Sequence, residues 1–256
     1  MTRKSPSIIS KLYPASFVAL LVLLWWGLCR FGVVPGFMLP SPEQVVVTLV
    51  TELPNLLPHA AVSLEESFLG LMSSIAAAFV LAILMDRFHF LYRSVYPVVV
   101  LTQTIPTIAL APILVLWMGY GILPKVALIF LTCFFPLVVS LLGGFQAVDQ
   151  DIVRLYHSMG ASRGQILLQV KIPMALDSFF SGLRVSAAYS IVGAVIAEWL
   201  GGNNGLGVYM TRARKSYAYD KMFAVIILIS VLSLLLMKLV DVLHERSMPW
   251  KRAQKF

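Results

Sequence analysis

The sequence predicts an all-α integral membrane protein with six transmembrane helices and cytoplasmic N and C termini, on three observations. Hydrophobic residues make up 59% of the 256 and charged residues only 12%, whereas soluble domains carry about a quarter charged residues; the mean hydropathy is +0.86. The apolar residues form continuous runs near the roughly 20 residues of a helical span, not the alternating tens of a barrel strand. Lys and Arg gather in alternate connecting segments, which sets the sidedness.

Residues 1–13 form a basic cytoplasmic segment with Arg3, Lys4 and Lys11. The first span, 14–34, is long, contains Trp25 and Trp26 and has no small-x-small cleavage site, so it reads as a retained helix rather than a secretory signal. Residues 35–58 hold five prolines and read as an outer loop with at most a short helix at 42–52. No Lys or Arg lies between Phe31 and Asp86, which assigns that loop to the outside.

The second span is 60–85, with Glu65 and Glu66 in its first turns near the interface, where a charge costs less than at the bilayer centre. Arg87, His89 and Arg93 mark the return inside. A third span, 94–118, is interrupted by Pro97, Pro106 and Pro112 and groups Thr102, Gln103, Thr104 and Thr107 at its centre. Hydrocarbon offers those groups no partners, so they should face the bundle interior or a wet cavity. The turn at 119–123 makes the fourth span, 124–145, its antiparallel neighbour.

A cytoplasmic loop, 146–173, follows. Val153, Tyr156, Met159 and Gly160 share one helix face there, flanked by Ile152, Leu155 and Ala161. Gly160 ends that helix, because glycine takes positive φ without a Cβ clash. Ser162 and Gln165 have capping-box spacing for a second short helix. Ile172-Pro173 should stop it, since proline disfavours α geometry in the residue before it. The apolar side of this helix–turn–helix has no cover within the chain and calls for a partner.

The fifth span is 175–200, with Arg184 within it and Glu198 at its far end; the sixth is 222–243. A turn-rich outer loop joins them, and 246–256 is a basic cytoplasmic tail. Spans and loops together make a single transmembrane domain, 14–245. Arg212, Arg214, Lys215 and Lys221 in the outer loop run against the positive-inside bias, which the cytoplasmic segments otherwise obey.

Chemistry of its own is not expected of this chain. It has no Walker A pattern, and the glycine-rich run 201–207 is followed by Val-Tyr instead of Lys-Ser/Thr. The four histidines are scattered, which gives no metal site, and Cys29 and Cys133 sit in apolar runs as small buried residues. A net charge of +8 reflects cytoplasmic loops and lipid headgroups, not nucleic acid. Intramembrane ionisable residues face the bundle interior, so Arg184 and Glu198 are either pathway groups or interhelix pairs. Gln103, Thr104 and Thr107 are either substrate contacts or interhelix hydrogen bonders.

At residues 149–173 the chain resembles the membrane subunits of type I ABC importers, whose cytoplasmic loop carries Glu-Ala-Ala, three residues, Gly, nine residues, Ile-x-Leu-Pro. Gly160 and Pro173 fit that pattern, and Val170 and Ile172 stand for its Ile and Leu. Arg154-Leu155-Tyr156 replaces Glu-Ala-Ala, reversing a charge at the docking surface. LPSPEQV at 39–45, QTIPTIALAPILVLWMGYG at 103–121 and GLRVSAAYSIVGAVIAEWLGGNNGLG at 182–207 resemble the nitrate/sulfonate/taurine permease group. That group includes bicarbonate and thiamine-pyrimidine-precursor permeases, and AEWLGGNNGLGVYMTRARKS leans toward the pyrimidine branch.

The resemblance implies a permease in the cell inner membrane that carries a small polar or anionic solute. A second permease subunit, most simply another copy, would pair with it around a central pathway. A separate ATPase subunit would use ATP and Mg, the permease binding no cofactor. An extracytoplasmic solute-binding protein would deliver the solute. The coupling residues would be Arg154, Leu155, Tyr156, His157, Ser158, Met159, Gly160, Ala161, Ser162 and Arg163, with Ile172 and Pro173 behind them. An ATP-independent secondary transporter or channel is the alternative; the chain lacks the carboxylate relay and repeated broken helices expected of one. A membrane scaffold would leave the polar strip of the third span unexplained.

Overall fold

The computed structural model describes residues 8–36 and 38–248; the basic residues assigned to 1–7 and to the tail from 249 lie outside them. Every regular element among the described residues is helical: α1 Ile8–Arg30, α2 Pro42–Arg87, α3 His89–Thr102, α4 Thr107–Met118, α5 Ile122–Gln146, α6 Gln150–Ser158, α7 Arg163–Ile166, a π turn Leu167–Lys171, α8 Ile172–Glu198, α9 Leu206–Lys215 and α10 Tyr219–Ser247. Four stretches are long and apolar enough to cross a bilayer: α2, α5, the continuous run Arg163–Glu198, and α10. The α3–α4 pair makes a fifth if its halves count as one span. By length and composition the described residues thus hold four or five candidate spans, and the apolar part of α1, Ser16–Arg30, is a shorter apolar helix beside them.

Three expectations are corrected. Within the outer loop expected at 35–58 with a short helix at 42–52, residues 42–58 are instead the start of α2, a helix 46 residues long, or about 69 Å at 1.5 Å per residue. Pro42 starts the helix, where a missing N–H costs nothing. Pro54 and Pro58 lie within it on exposed positions and do not break it. The third span is two helices bent by 100°. Thr102 and Thr104 donate their hydroxyls to the carbonyls of Val99 (2.7 Å) and Leu101 (2.8 Å), which closes α3, and Pro106 holds the residue before it out of α geometry. Finally, Ile172-Pro173 does not stop the second short helix. The π turn directly before it widens the helix over the carbonyl that the Pro173 ring would crowd, and the chain runs on into α8.

The chain divides into two compact units, residues 1–57 with 209–228 and residues 58–208 with 229–256. In the first, Trp25 Nε1 donates to the Pro40 carbonyl (3.1 Å) and Trp26 Nε1 to Glu43 (3.0 Å). Glu52 accepts from Lys221 Nζ (2.7 Å) and from the Tyr209 hydroxyl (2.9 Å). Burial, with that carboxylate beside it, pushes the Tyr209 hydroxyl above its ordinary range.

The second unit is built on the antiparallel pair α5 and α8. Their backbones meet where both carry small residues, the device membrane helices use to gain contact without a hydrophobic drive. A Cβ on Gly144 would stand 2.7 Å from that of Ala175, and one on Gly182 would stand 2.6 Å from that of Ser140. Around this seam Leu71, Met85, Leu137, Leu141, Phe145, Phe179 and Ala187 form the core.

Candidate functional site

Three constructions in the second unit stand apart from simple packing. The first is the α6–α7 corner. Asp149 caps α6 by accepting from the Asp151 N–H (2.9 Å). Gly160 takes φ +82° with open space around it, and Ala161 N–H then closes on the Tyr156 carbonyl at 3.0 Å. Ser162 and Gln165 complete the capping box in both directions, at 2.7 and 3.3 Å. The apolar side divides. Ile152, Val153, Tyr156 and Ala161 pack against buried Val148, Ile166 and Val170, so part of the face expected to need a partner is covered from within the chain. Leu155 and Met159 are not covered; they are 57% and 75% exposed. Arg154 and His157 flank them, exposed, and Arg154 pairs with Asp151, at 3.3 Å on the surface, a contact worth little. Behind the corner Ile172 is half-buried against the core and Pro173 enters α8.

The second construction is the break between α3 and α4, which opens a pocket of about 330 Å³. Gln103 and Thr107 line it with Thr132 of α5 and Tyr189 of α8. Thr104 is exposed beside the break, its hydroxyl turned back to the Leu101 carbonyl. Gln103 and Thr107 therefore come together, while Arg184 and Glu198 lie elsewhere. Arg184 pairs through Nε with Asp241 of α10 at 2.7 Å.

Glu198 belongs to the third construction, which the sequence reading missed. Its Oε1 accepts from Ser63 Oγ (2.6 Å) and its Oε2 from the Gly207 N–H (2.5 Å). The Leu206 N–H donates to Ser63 Oγ (2.9 Å) and the Gly205 N–H to His59 Nδ1 (2.9 Å). The carboxylate and its neighbours thus satisfy the first N–H groups of α9, where helix dipole and orphan donors both favour an anion. The glycine run 201–207 is a helix entry held by side chains. Alongside, Lys125 Nζ meets Glu66 Oε1 at 2.6 Å, and both residues are buried, at 6% and 3% exposed. Glu66 is thus a carboxylate buried within the protein, paired with a lysine through one oxygen, while its Oε2 is buried with no hydrogen-bond partner among the described residues. The signal available was a lone lysine at the start of an apolar run, opposite a glutamate in another.

Residues 70–249 match the family described as binding-protein-dependent transport system inner membrane component. The chain is similar to the formylaminopyrimidine transport permease protein ThiX of Halalkalibacterium halodurans, 35% identical over 244 residues that cover 95% of this chain and 97% of the relative. It is also similar to the taurine transport system permease protein TauC of Escherichia coli, 30% identical over 240 residues covering 91% and 87%. Among solved structures, the inward-facing MetNI methionine ABC transporter shares the fold, with a TM-score of 0.59 over 84% of this chain and 99% of that one at 17% identity.

Proposed function

Because this chain belongs to the binding-protein-dependent transport system inner membrane component family, we propose that its α6–α7 corner seats the ATPase and its α3–α4 break lines the solute path. The chain is an ABC importer permease, a multi-pass protein of the inner membrane whose relatives are named for the transport of formylaminopyrimidine, taurine, aliphatic sulfonates and nitrate. In this reading six spans leave both termini cytoplasmic, two copies pair around the path, and an extracytoplasmic binding protein delivers the solute. ATP and Mg act in the separate subunit.

The observation that carries the proposal is the exposure of Leu155 and Met159 on a short helix fixed at both ends. A corner this well capped with bare apolar side chains on it is a docking surface, because water gains nothing from it. The residues from Arg154 to Arg163 form that seat. ATPase closure can move the permease only through contacts that differ between its states, and those contacts fall here. Arg154, where the family pattern has an acid, supports an acidic counterpart in the ATPase cleft. Gln103, Thr104 and Thr107 border the path; Arg184 and Glu198 serve it as wall fixtures through Asp241 and through the entry of α9.

Co-expression with the ATPase subunit and affinity purification test the seat. Wild-type chain is expected to retain the ATPase, and Met159→Cys to cross-link to a cysteine in the ATPase cleft. A folded chain that captures no ATPase overturns the reading.

A further inference from the structure

A second pocket, of about 300 Å³, lies between the α6–α7 corner and the last turn of α2, and neither Leu155 nor Met159 lines it. Its polar wall is basic. Arg87 ends α2, His157 lies in the last turn of α6, Arg163 opens α7 and Lys171 closes the π turn. The one acid in the lining, Asp86, is already engaged: both its oxygens accept from Lys171 Nζ, at 2.7 and 2.8 Å. Neither Arg87 nor Arg163 has a carboxylate partner among the described residues. Arg87 stands 5.9 Å from the centre of the Phe88 ring, a contact that draws on its charge and leaves its N–H donors unused. Two guanidinium groups therefore line one hollow without a counter-charge.

The planar fork of a guanidinium matches phosphate oxygens two at a time, and the His157 ring carries at least one N–H in either tautomer. Apolar Ile83, Val153 and Ile166 supply the rest of the wall, and beside such a surface a charge pair is screened less than in open water. The volume is some ten times the liquid share of one water, room for a phosphate group and a short ester substituent. Depth points the same way. The helix α2 is long and apolar enough to cross a bilayer and ends at Arg87. With the corner on the cytoplasmic side, as the proposed function has it, that end lies level with the inner headgroups. Phe88 and Phe90 are exposed beside it, and basic pockets between helices at this depth suit acidic headgroups.

We propose that this pocket binds a phosphate group of net negative charge, from an acidic phospholipid or from a soluble phosphate, between Arg87 and Arg163. The bound anion adds to the Lys171–Asp86 pair a second tie between α2 and the run that begins at Arg163, and so steadies the corner that seats the ATPase.

The test uses the full chain assembled with its ATPase in neutral detergent. Native mass spectrometry follows retained phosphatidylglycerol, with phosphatidylcholine as the zwitterionic control, and equilibrium dialysis follows radiolabelled inorganic phosphate. Saturable binding of phosphatidylglycerol or of phosphate is expected. Arg87→Gln and Arg163→Gln should each weaken it about tenfold, as loss of a hydrogen bond between charged groups predicts. Arg93→Gln, which removes an exposed arginine outside the lining, should leave it unchanged. Binding of the lipid alone identifies a headgroup site, and binding of phosphate with the same dependence on Arg87 identifies a soluble ligand; either upholds the site. Binding of neither, equal retention of phosphatidylcholine, affinity unchanged in both variants, or an equal loss in Arg93→Gln overturns it. Arg87 lies outside the ATPase seat, so retention of the ATPase by Arg87→Gln reports separately on that reading.

Discussion

Lys125 shows how far a single side chain can decide the stability of an apolar interior. Its ammonium and the Glu66 carboxylate share a contact of 2.6 Å with both groups out of water. Lys125→Met should therefore lower stability by about 3–5 kcal/mol, the usual effect of stranding one buried charge. Adding Glu66→Gln should recover a large part of the loss; thermal unfolding of the detergent-solubilised chain measures both. Gly182 makes the complementary case from packing. Gly182→Val would drive side-chain carbons into Ser140 and the Pro136 carbonyl. The expected destabilisation is about 1–3 kcal/mol, with α5 and α8 forced apart, and it is read by the same assay. Neither effect was legible in the chain alone. Composition marks Glu66 as an unusual residue in an apolar run, but naming its partner requires knowing that residue 125 packs beside residue 66. The seam glycines likewise look like any others until the facing helix is known.

At the scale of elements, short-range chemistry was the most readable. The spacing from Ser162 to Gln165 foretold a capping box, and Gly160 a left-handed turn; both depend on a handful of adjacent residues, and both are present. Prolines were poorer guides. Pro106 accompanies a bend of 100°, whereas Pro54 and Pro58 leave α2 unbroken. At the break Thr102 and Thr104 turn their hydroxyls back to the Val99 and Leu101 carbonyls, whereas Pro54 and Pro58 stand on exposed positions of a continuous helix. The polar strip of the third span could be read as facing a cavity, but its bend angle could not. The α6 corner yields a functional prediction. Met159→Glu places charge on an apolar docking face without touching Val148, Ile166 or Val170 beneath it. ATP-driven uptake in proteoliposomes should fall at least about tenfold, as loss of a well-buried interface anchor predicts, with unfolding temperature unchanged. Uptake at the wild-type level would remove α6 from the mechanism.

For the molecule as a whole, the all-helical membrane class followed from composition, because 59% hydrophobic residues leave few alternatives. Sidedness rests on charge bias and has a sharp test. Arg212, Arg214 and Lys215 lie in α9, which the proposed topology puts outside, so a reporter fused after Lys215 should be active outside the cell and silent within. The opposite pattern would reverse the orientation of every span. One further consequence follows from the run Arg163–Glu198, 36 residues without a break and about 54 Å from end to end. Its first residue adjoins the Ser162 cap, and its last holds the Gly207 amide. Such a shaft cannot yield at one tip and stay still at the other; its soft place is the π turn at Leu167–Lys171, where added width lets it twist. Torque applied at the corner would arrive at the α9 entry as rotation, with no messenger between them except the helix itself.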